Sequence, residues 1–466
     1  MAAVLWDRHW DERLARRSDT VLVADGRVWT GRELVALADV LRRALEQAGL
    51  RLDDRVVLAL PSGASLIAAL VACTMNGAVI APIAPELGIE IALDAVAADA
   101  VIASAPQDIA GIVWRDVAPG LALGTRARPQ RDVTSADAAL GRWVLSTSGS
   151  SGEPRWISCS DAAVESVLAS HRAALGSGPA RLLSALPWHH AFGLVLDLLL
   201  GLQDGALIVR EASGGRDAAS MVHTARAFDT TRLNAVPATI TRLLGHPDGR
   251  ALLAQCTSGI IGGAPITARL AASLQGTRLR VGYGQTEAAP GITLGAPGEF
   301  RERWIGRPLG CEVVSIEGRL HFRGANAPVG RWASGRFVAN PNRSDWQDTG
   351  DVVSADADGW RFEGRASDDF KLSNGRWVAA AQLEAAIRAS TGAEEALLWS
   401  IDGESINCAV TAPRSFDDDA VRRVLGSLAS RVPRIHRVPA TAWSRTPKGD
   451  VDRRRPPAVP GPTPVG

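Results

Sequence analysis

The chain is poor in several residue types, and each shortage excludes something. Of its 51 basic side chains only two, Lys371 and Lys448, are lysines, and the other 49 are arginines. They face 50 acidic side chains, for a formal net charge of +1. That balance argues against a nucleic-acid partner, because nucleic-acid proteins concentrate a basic excess on one face. The five cysteines, Cys73, Cys159, Cys256, Cys311 and Cys408, are far apart and form no C-x-x-C pair. A sequence-local zinc site is thereby excluded, and no disulfide framework is indicated. A reducing, cytoplasmic setting is expected. Long apolar runs are missing too. Residues 66–87 are interrupted by Asn76, Gly77, Pro82 and Pro85, and residues 191–202 carry Asp197. A membrane span needs about 20 apolar residues. The first stretch therefore reads as a buried helix followed by a buried strand, and the second as a buried helix. The opening residues are charged (Asp7, Arg8, Asp11, Glu12, Arg13) and are not expected to be a secretory signal. A single tyrosine, Tyr283, stands beside 14 tryptophans.

What is present is ordinary globular material, 466 residues at 46% hydrophobic and 22% charged, enough for a large core and a second domain. Short apolar runs at 56–60, 182–186, 206–209 and 233–236 alternate with helix-like sequence. This alternation predicts an α/β fold, with mostly parallel sheets and flanking helices. From about Gly310 the runs shorten and alternate with Gly and Asp turns. Strands are expected at 313–316, 319–323 and 360–363, with a hairpin turn at 356–359. After Phe370 come a helix (380–389), two strands (396–400 and 407–411) and a helix (417–430), a compact α+β unit. The domains expected are 1–366 and 367–455, followed by a disordered Pro- and Gly-rich tail at 456–466.

Four segments carry chemistry. The first, Leu145-Ser-Thr-Ser-Gly-Ser-Ser-Gly-Glu-Pro-Arg155, runs from a strand into a small-residue loop. Gly149 and Gly152 allow close approach of an anion, the hydroxyls donate hydrogen bonds, and Arg155 adds charge. The composition suits phosphate, although the Walker spacing G-x-x-x-x-G-K-[ST] is absent. The second is Val281-Gly-Tyr-Gly-Gln-Thr-Glu287. Its tyrosine lies between glycines and can stack on a base, Thr286 can bond a phosphate oxygen, and Glu287 is a hard ligand suited to magnesium. The third is Asp348-Thr-Gly-Asp351, followed by Gly364-Arg365. A carboxylate after a tight turn can accept both hydroxyls of a ribose. The fourth is Ser184-Ala-Leu-Pro-Trp-His-His-Ala-Phe-Gly193. Adjacent His189 and His190 cannot share one face of a regular element, so one is expected to face a pocket while the other packs.

Taken in order, these segments together with G-G-A-P at 262–265, G-R-A-S-D-D-F-K at 364–371 and R-T-P-K-G-D at 445–450 resemble the adenylate-forming superfamily. That superfamily holds acyl- and aryl-CoA ligases, nonribosomal adenylation domains and luciferases. The likeness covers most of the chain, and the hinge stretch at 370–378 is similar to feruloyl-CoA synthase-like members. The resemblance implies roles. Thr147, Ser148, Gly149, Ser150, Ser151 and Gly152 would grip the β- and γ-phosphates of ATP, with Arg155 where the family usually has Lys. Gly262, Gly263, Ala264 and Tyr283 would flank the adenine. Thr286 would touch the α-phosphate, Glu287 would hold Mg2+, and Asp351 with Arg365 would bind the ribose. His190 would border the carboxylate of the acid. Lys371 would lie near the nucleotide as the small domain turns about the hinge after Gly364. The family's late motif places its catalytic lysine after the glycine. Here Asp450 has that place, and Lys448, before the glycine, is a candidate catalytic residue together with His190, Thr286 and Glu287.

The acid pocket implied is lined by Trp188, His189, His190, Phe192, Val236 and Gly284. With no Asp obviously paired to a substrate amine, except for Asp197 in its apolar helix, an aromatic or neutral-tailed acid fits better than an α-amino acid. The expected activity is ATP-dependent formation of an acyl-AMP, followed by transfer to coenzyme A. Two alternatives stay open. One is transfer to a separate acyl carrier protein or to another nucleophile such as an amine or nitrite. The other is a catalytically weak nucleotide-binding relative.

Overall fold

A computed structural model describes residues 14–17, 19–84, 87–126, 141–147, 154–176, 180–412, 416–446 and 449–459. The largest sheet has nine strands. Its centre is parallel: Ala100–Ala103, Arg55–Ala59 and Val79–Pro82 lie side by side, and Trp143–Thr147 joins them. Every residue of the first three strands is buried. Continuous apolar runs of this kind belong to parallel strands covered on both faces. The helix Ala64–Met75, buried over nearly its whole surface, supplies part of that cover. The flanks of the sheet are antiparallel. On one side Trp143–Thr147 pairs with Arg155–Cys159, which pairs with Gly330–Ala333. The Ser/Gly loop therefore joins two strands of a hairpin and does not lead into a helix.

In a second, five-stranded sheet Arg232–Asn234, Arg181–Ser184, Leu207–Arg210 and Thr20–Ala24 are parallel. Isolated bridges from Arg232 to Ser258 and from Ala235 to Ile261 extend it to the parallel pair Ile260–Ile261 and Arg280–Tyr283. The stretch expected to be a buried helix at 191–202 is helical, but as a π-helix over Phe192–Leu199 followed by one α-turn.

The β-rich portion is a four-stranded antiparallel sheet of Glu312–Ile316, Arg319–Arg323, Gln347–Asp356 and Gly359–Arg365, with its hairpin at 356–359. Asp348-Thr-Gly-Asp351 is not a connection between elements. It lies within the strand Gln347–Asp356, whose register slips there. Gly350 has φ 71°, a left-handed conformation available to glycine at little cost, and its N–H donates to the Asp348 carboxylate at 2.8 Å.

The C-terminal unit has its own apolar core, built from Ile387, Leu398, Cys408, Val410, Val421 and Leu425. Its helices are Ala380–Thr391 and Asp418–Leu425, the second ending earlier than expected in a 3-10 turn over Gly426–Arg431. A third strand, Ile435–Arg437, completes its sheet. Arginine–carboxylate pairs tie this unit to the rest. Arg388 meets Glu363 at 3.3 Å, and Arg303 meets Glu395 at 3.2 Å. The tail expected to be disordered from Pro456 is placed as far as Val459, which packs beside Leu397, Ala409 and Trp443.

Candidate active site

Five short parallel strands, Leu207–Arg210, Arg181–Ser184, Arg232–Asn234, Ile260–Ile261 and Arg280–Tyr283, end on one side of the sheet. Ligands of open parallel sheets bind outside the carboxyl ends of the strands. The segments leaving these ends are those with Trp188 to Phe192, with Val236, with Gly262 to Ala264, and with Gly284 to Glu287. Residues far apart in sequence thus reach one edge. A Cβ at Gly262 would lie 2.7 Å from the Gly282 carbonyl oxygen and 3.8 Å from the Phe192 ring, so Phe192 borders the Gly262–Gly263–Ala264 turn. At Gly284 a Cβ would strike the Pro290 carbonyl oxygen at 1.5 Å, so only glycine lets the chain pass there.

Asp351 is the centre of the polar groups. It is 2% exposed, the Tyr283 hydroxyl donates to its Oδ2 at 2.7 Å, and Arg365 Nε lies 3.2 Å from its Oδ1. That Oδ1 has no aligned hydrogen-bond donor although it is buried. Burial pushes the Asp351 pKa up to about 6, against the pull of Arg365 and Tyr283. Burial and the neighbouring carboxylate likewise raise the Tyr283 phenol well above its usual range, so it stays a donor. Buried polar atoms are nearly always paired, so an orphaned oxygen calls for a partner. Thr147 Oγ1, at the mouth of the Ser/Gly hairpin, is a second buried atom with no partner. A ligand bearing hydroxyls and phosphates fits both.

Arg155 at the end of that loop reaches Glu287 Oε1 at 3.2 Å. Thr286 and Glu287 begin a 3-10 turn, and the Thr286 carbonyl lies 3.7 Å from Cys159 Sγ. The cation expected for phosphate and the carboxylate expected for metal therefore stand together. Magnesium is commonly held by one or two carboxylates plus substrate phosphates, a donor set that Glu287 suits. Among the described residues no cluster of three or more His, Cys, Asp or Glu could hold a metal alone. Ser148, Gly149, Ser150, Ser151, Gly152 and Lys448 lie outside the described residues.

His190 is exposed, and its ring is 4.4 Å from that of His189. Burial, helped by Arg210, pushes the His189 pKa down to about 4, so its ring is neutral at pH 7. Trp188 is fully buried. Its backbone N–H donates to Ser62 Oγ at 2.9 Å, its indole N–H to Ser184 Oγ at 3.0 Å, and the Arg210 guanidinium lies 5.5 Å from its ring. Asp197 is completely buried and spent on Ser184 and Asn234, so it offers nothing to a substrate amine. Lys371 is exposed on the hairpin formed by Phe370–Lys371 and Trp377–Val378.

The late motif folds back on itself. Arg445 bridges to Val451, the Gly449 N–H donates to the Thr446 carbonyl at 2.9 Å, and Arg445 Nη2 reaches Glu395 at 3.0 Å. A Cβ at Gly449 would touch Ala238 at 3.4 Å, next to the segment holding Val236. Asp450 is near enough to act electrostatically on both Asp351 and Arg365. Gly449 thus lies against Ala238, and Asp450 lies near the Tyr283–Asp351–Arg365 cluster.

Residues 10–326 match the family described as AMP-binding enzyme. The chain belongs to that family. Among curated proteins it is 27% identical to a feruloyl-CoA synthase of Amycolatopsis over 96% of this chain and 98% of the relative. It is 29% identical to an anthranilate–CoA ligase of Pseudomonas aeruginosa over 84% and 83%. Among solved structures, Klebsiella oxytoca NpsA in complex with 3-hydroxyanthranilyl-AMSN superposes with a TM-score of 0.74, at 18% identity, over 97% of this chain and 98% of that one. The adenylate-forming resemblance and the α/β fold are thus both borne out. No described helix of this AMP-binding enzyme is long and apolar enough to cross a membrane. Two neighbours of the site, Ser62 and Arg210, went unseen in the sequence, because neither carries a local signal.

Proposed function

We propose that this AMP-binding enzyme activates an aromatic carboxylic acid with ATP and passes the acyl group to the thiol of coenzyme A. The observation that carries the reading is the buried Asp351 carboxylate, with Tyr283 donating to Oδ2 and Arg365 beside Oδ1, which has no aligned hydrogen bond. That oxygen is a ready acceptor for a ribose hydroxyl. In this reading Tyr283 and the 262–264 turn bracket the base, and Thr147 with the rest of the Ser/Gly loop and Arg155 hold the phosphates. Glu287 would hold Mg2+, which when bound neutralises phosphate charge. His190 borders the acid carboxylate. Residues 1–366 and 367–455 act as two domains hinged after Gly364, with Lys371 brought toward the nucleotide as they turn.

The chemistry needs no side-chain nucleophile. A carboxylate oxygen of the acid attacks the α-phosphorus, the bond from that phosphorus to the bridging oxygen breaks, and pyrophosphate leaves. The product is an acyl-AMP. A thiolate then attacks the acyl carbon and AMP departs. The protein's part is to align the reactants and to face the growing negative charge with the cations Arg155 and Lys448. An aromatic acid is favoured because Asp197 is spent and because Trp188, Phe192 and a neutral His189 surround the expected pocket. The two curated relatives, both CoA ligases of aryl acids, support the same choice. The five cysteines are free, which agrees with a reducing cytoplasm.

Acid-dependent exchange of labelled pyrophosphate into ATP tests the first step, with ferulate, anthranilate, 3-hydroxyanthranilate and a series of aliphatic acids as probes. Exchange with an aryl acid is expected. ATP binding without exchange by any acid would leave only a nucleotide-binding relative. AMP release that requires coenzyme A then separates a CoA ligase from a carrier-loading or amine-acylating enzyme. Arg155→Ala should raise the KM for ATP roughly fivefold, about 1 kcal/mol for one exposed charge contact, and Arg155→Lys should restore most of it. An equal loss in both variants would mean that the planar guanidinium, and not the charge alone, is required.

A further inference from the structure

Beneath the expected acid pocket lies a buried network whose hydrogens can be counted. Asp197, on the π-helix Phe192–Leu199, is 0% exposed. Ser184 Oγ donates to its Oδ2 at 2.5 Å, and Asn234 Nδ2 donates to its Oδ1 at 3.1 Å. Ser184 Oγ accepts in turn from the Trp188 indole at 3.0 Å and from Arg210 Nη1 at 3.3 Å. The serine hydroxyl has one hydrogen and two lone pairs, and all three are used. Asn234 cannot turn over. Its Oδ1 accepts the Ile260 N–H at 3.0 Å, and its Nδ2 also donates to the Leu196 carbonyl at 2.8 Å. Both neighbours of Asp197 must therefore donate to it, and only a group that accepts on both atoms satisfies them. An ionised carboxylate is such a group. Burial pushes the Asp197 pKa up to about 6, with Ser184 and Arg210, which lies 5.5 Å from the Trp188 ring, pulling the other way.

The network joins residues at the adjoining ends of four strands: Ser184, Arg210, Asn234 and Ile260. It also holds the two walls from which the expected pocket departs, Trp188 on one side and the 234–236 segment on the other. π-Helical turns are rare and concentrate at functional sites. We propose that Asp197 is a positioning residue for the acid substrate. Acting through Ser184 it fixes Trp188, and acting through Asn234 it fixes the start of the Val236 segment. The proposal rests on the adenylating function stated above.

Asp197→Asn preserves size but cannot accept on both sides. Whichever way the amide is turned, its NH2 faces a donor. Pyrophosphate exchange with the best acid of the panel should show the KM for that acid raised about tenfold, with the KM for ATP unchanged within twofold. Ser184→Ala removes the path to Trp188, and one contact of Arg210, while leaving the Asn234 side intact, and should give a smaller rise in the acid KM. It also serves if Asp197→Asn does not fold. A purely structural role would lower the active fraction and the Tm and leave both KM values alone, and that result would overturn the proposal. So would equal rises in the two KM values. If the wild-type enzyme exchanges with no acid, the adenylating function fails. The 15N-indole resonance of Trp188, assigned with Trp188→Phe, then decides the positioning role. Loss of its protection from hydrogen exchange in Asp197→Asn keeps Asp197 as the anchor of Trp188, and an unchanged signal removes it.

Discussion

Asp351→Asn is expected to raise the KM for ATP about 100-fold in the exchange assay while the Tm stays equal or rises. Each hydrogen bond to a charged group is worth about 1.5–3 kcal/mol, and loss of the ribose contacts together with the Arg365 attraction accounts for two decades. The second half of the prediction follows from the pKa. Burial raises it from the usual 3.8 to about 6. A carboxyl group shifted upward supports the fold fully at low pH and loses that support as the pH rises through 6. At pH 7.5 the ionised group is therefore carried at a cost to stability, and asparagine removes that cost. The same shift predicts that the wild-type KM for ATP climbs as the pH falls below 6, where Asp351 takes up a proton and ceases to be the acceptor. ATP titrations from pH 5 to 8 and melting curves of the two proteins check both points. An unchanged KM with a lowered Tm would make Asp351 a structural residue.

Lys448→Ala is expected to reduce the exchange rate by 100- to 1,000-fold with little change in the KM for ATP. Removal of one charge that meets the transition state costs about 2.7–4 kcal/mol, and the loss falls on kcat when the contact is absent from the ground state. The place of the late turn carries this expectation, since Gly449 lies against Ala238 and Asp450 lies near Arg365. Asp450→Asn distinguishes the two candidates for that place. It should change the rate by less than tenfold, because Asp450 has no positive charge to offer a phosphate. A silent Lys448→Ala would show that the cation comes from elsewhere, with Arg155 the next to test.

Much of the fold was legible because burial dictates composition. The apolar runs at 56–60, 182–186, 206–209 and 233–236 fall on parallel strands, and the shorter runs after Gly310 fall on the antiparallel sheet. The strands Gly330–Ala333 and Arg336–Ala339 were not seen, because they are half exposed and short, and because their partner Arg155–Cys159 lies far off in sequence. Likewise Asp348-Thr-Gly-Asp351 looked like a turn, because a bulge within a strand uses the same residues as a turn between strands. The site was legible where a side chain works through its own chemistry, as with Tyr283, Asp351 and Glu287. It was not legible where a side chain works through a neighbour. Nothing local marks Arg210 or Ser62, and the partners of Asp197 come from segments 13 and 37 residues away.

The charged seam between the C-terminal unit and the rest of the chain has a consequence of its own. Arg388 with Glu363, and Arg303 with Glu395, are each at least four-fifths covered. A half-separated pair of this kind would strand an uncompensated ion, which is costly, whereas two ions released together are taken up by water. Partial opening is therefore the least favourable state. If the C-terminal unit turns away as proposed, opening of the seam is expected to be abrupt and not gradual.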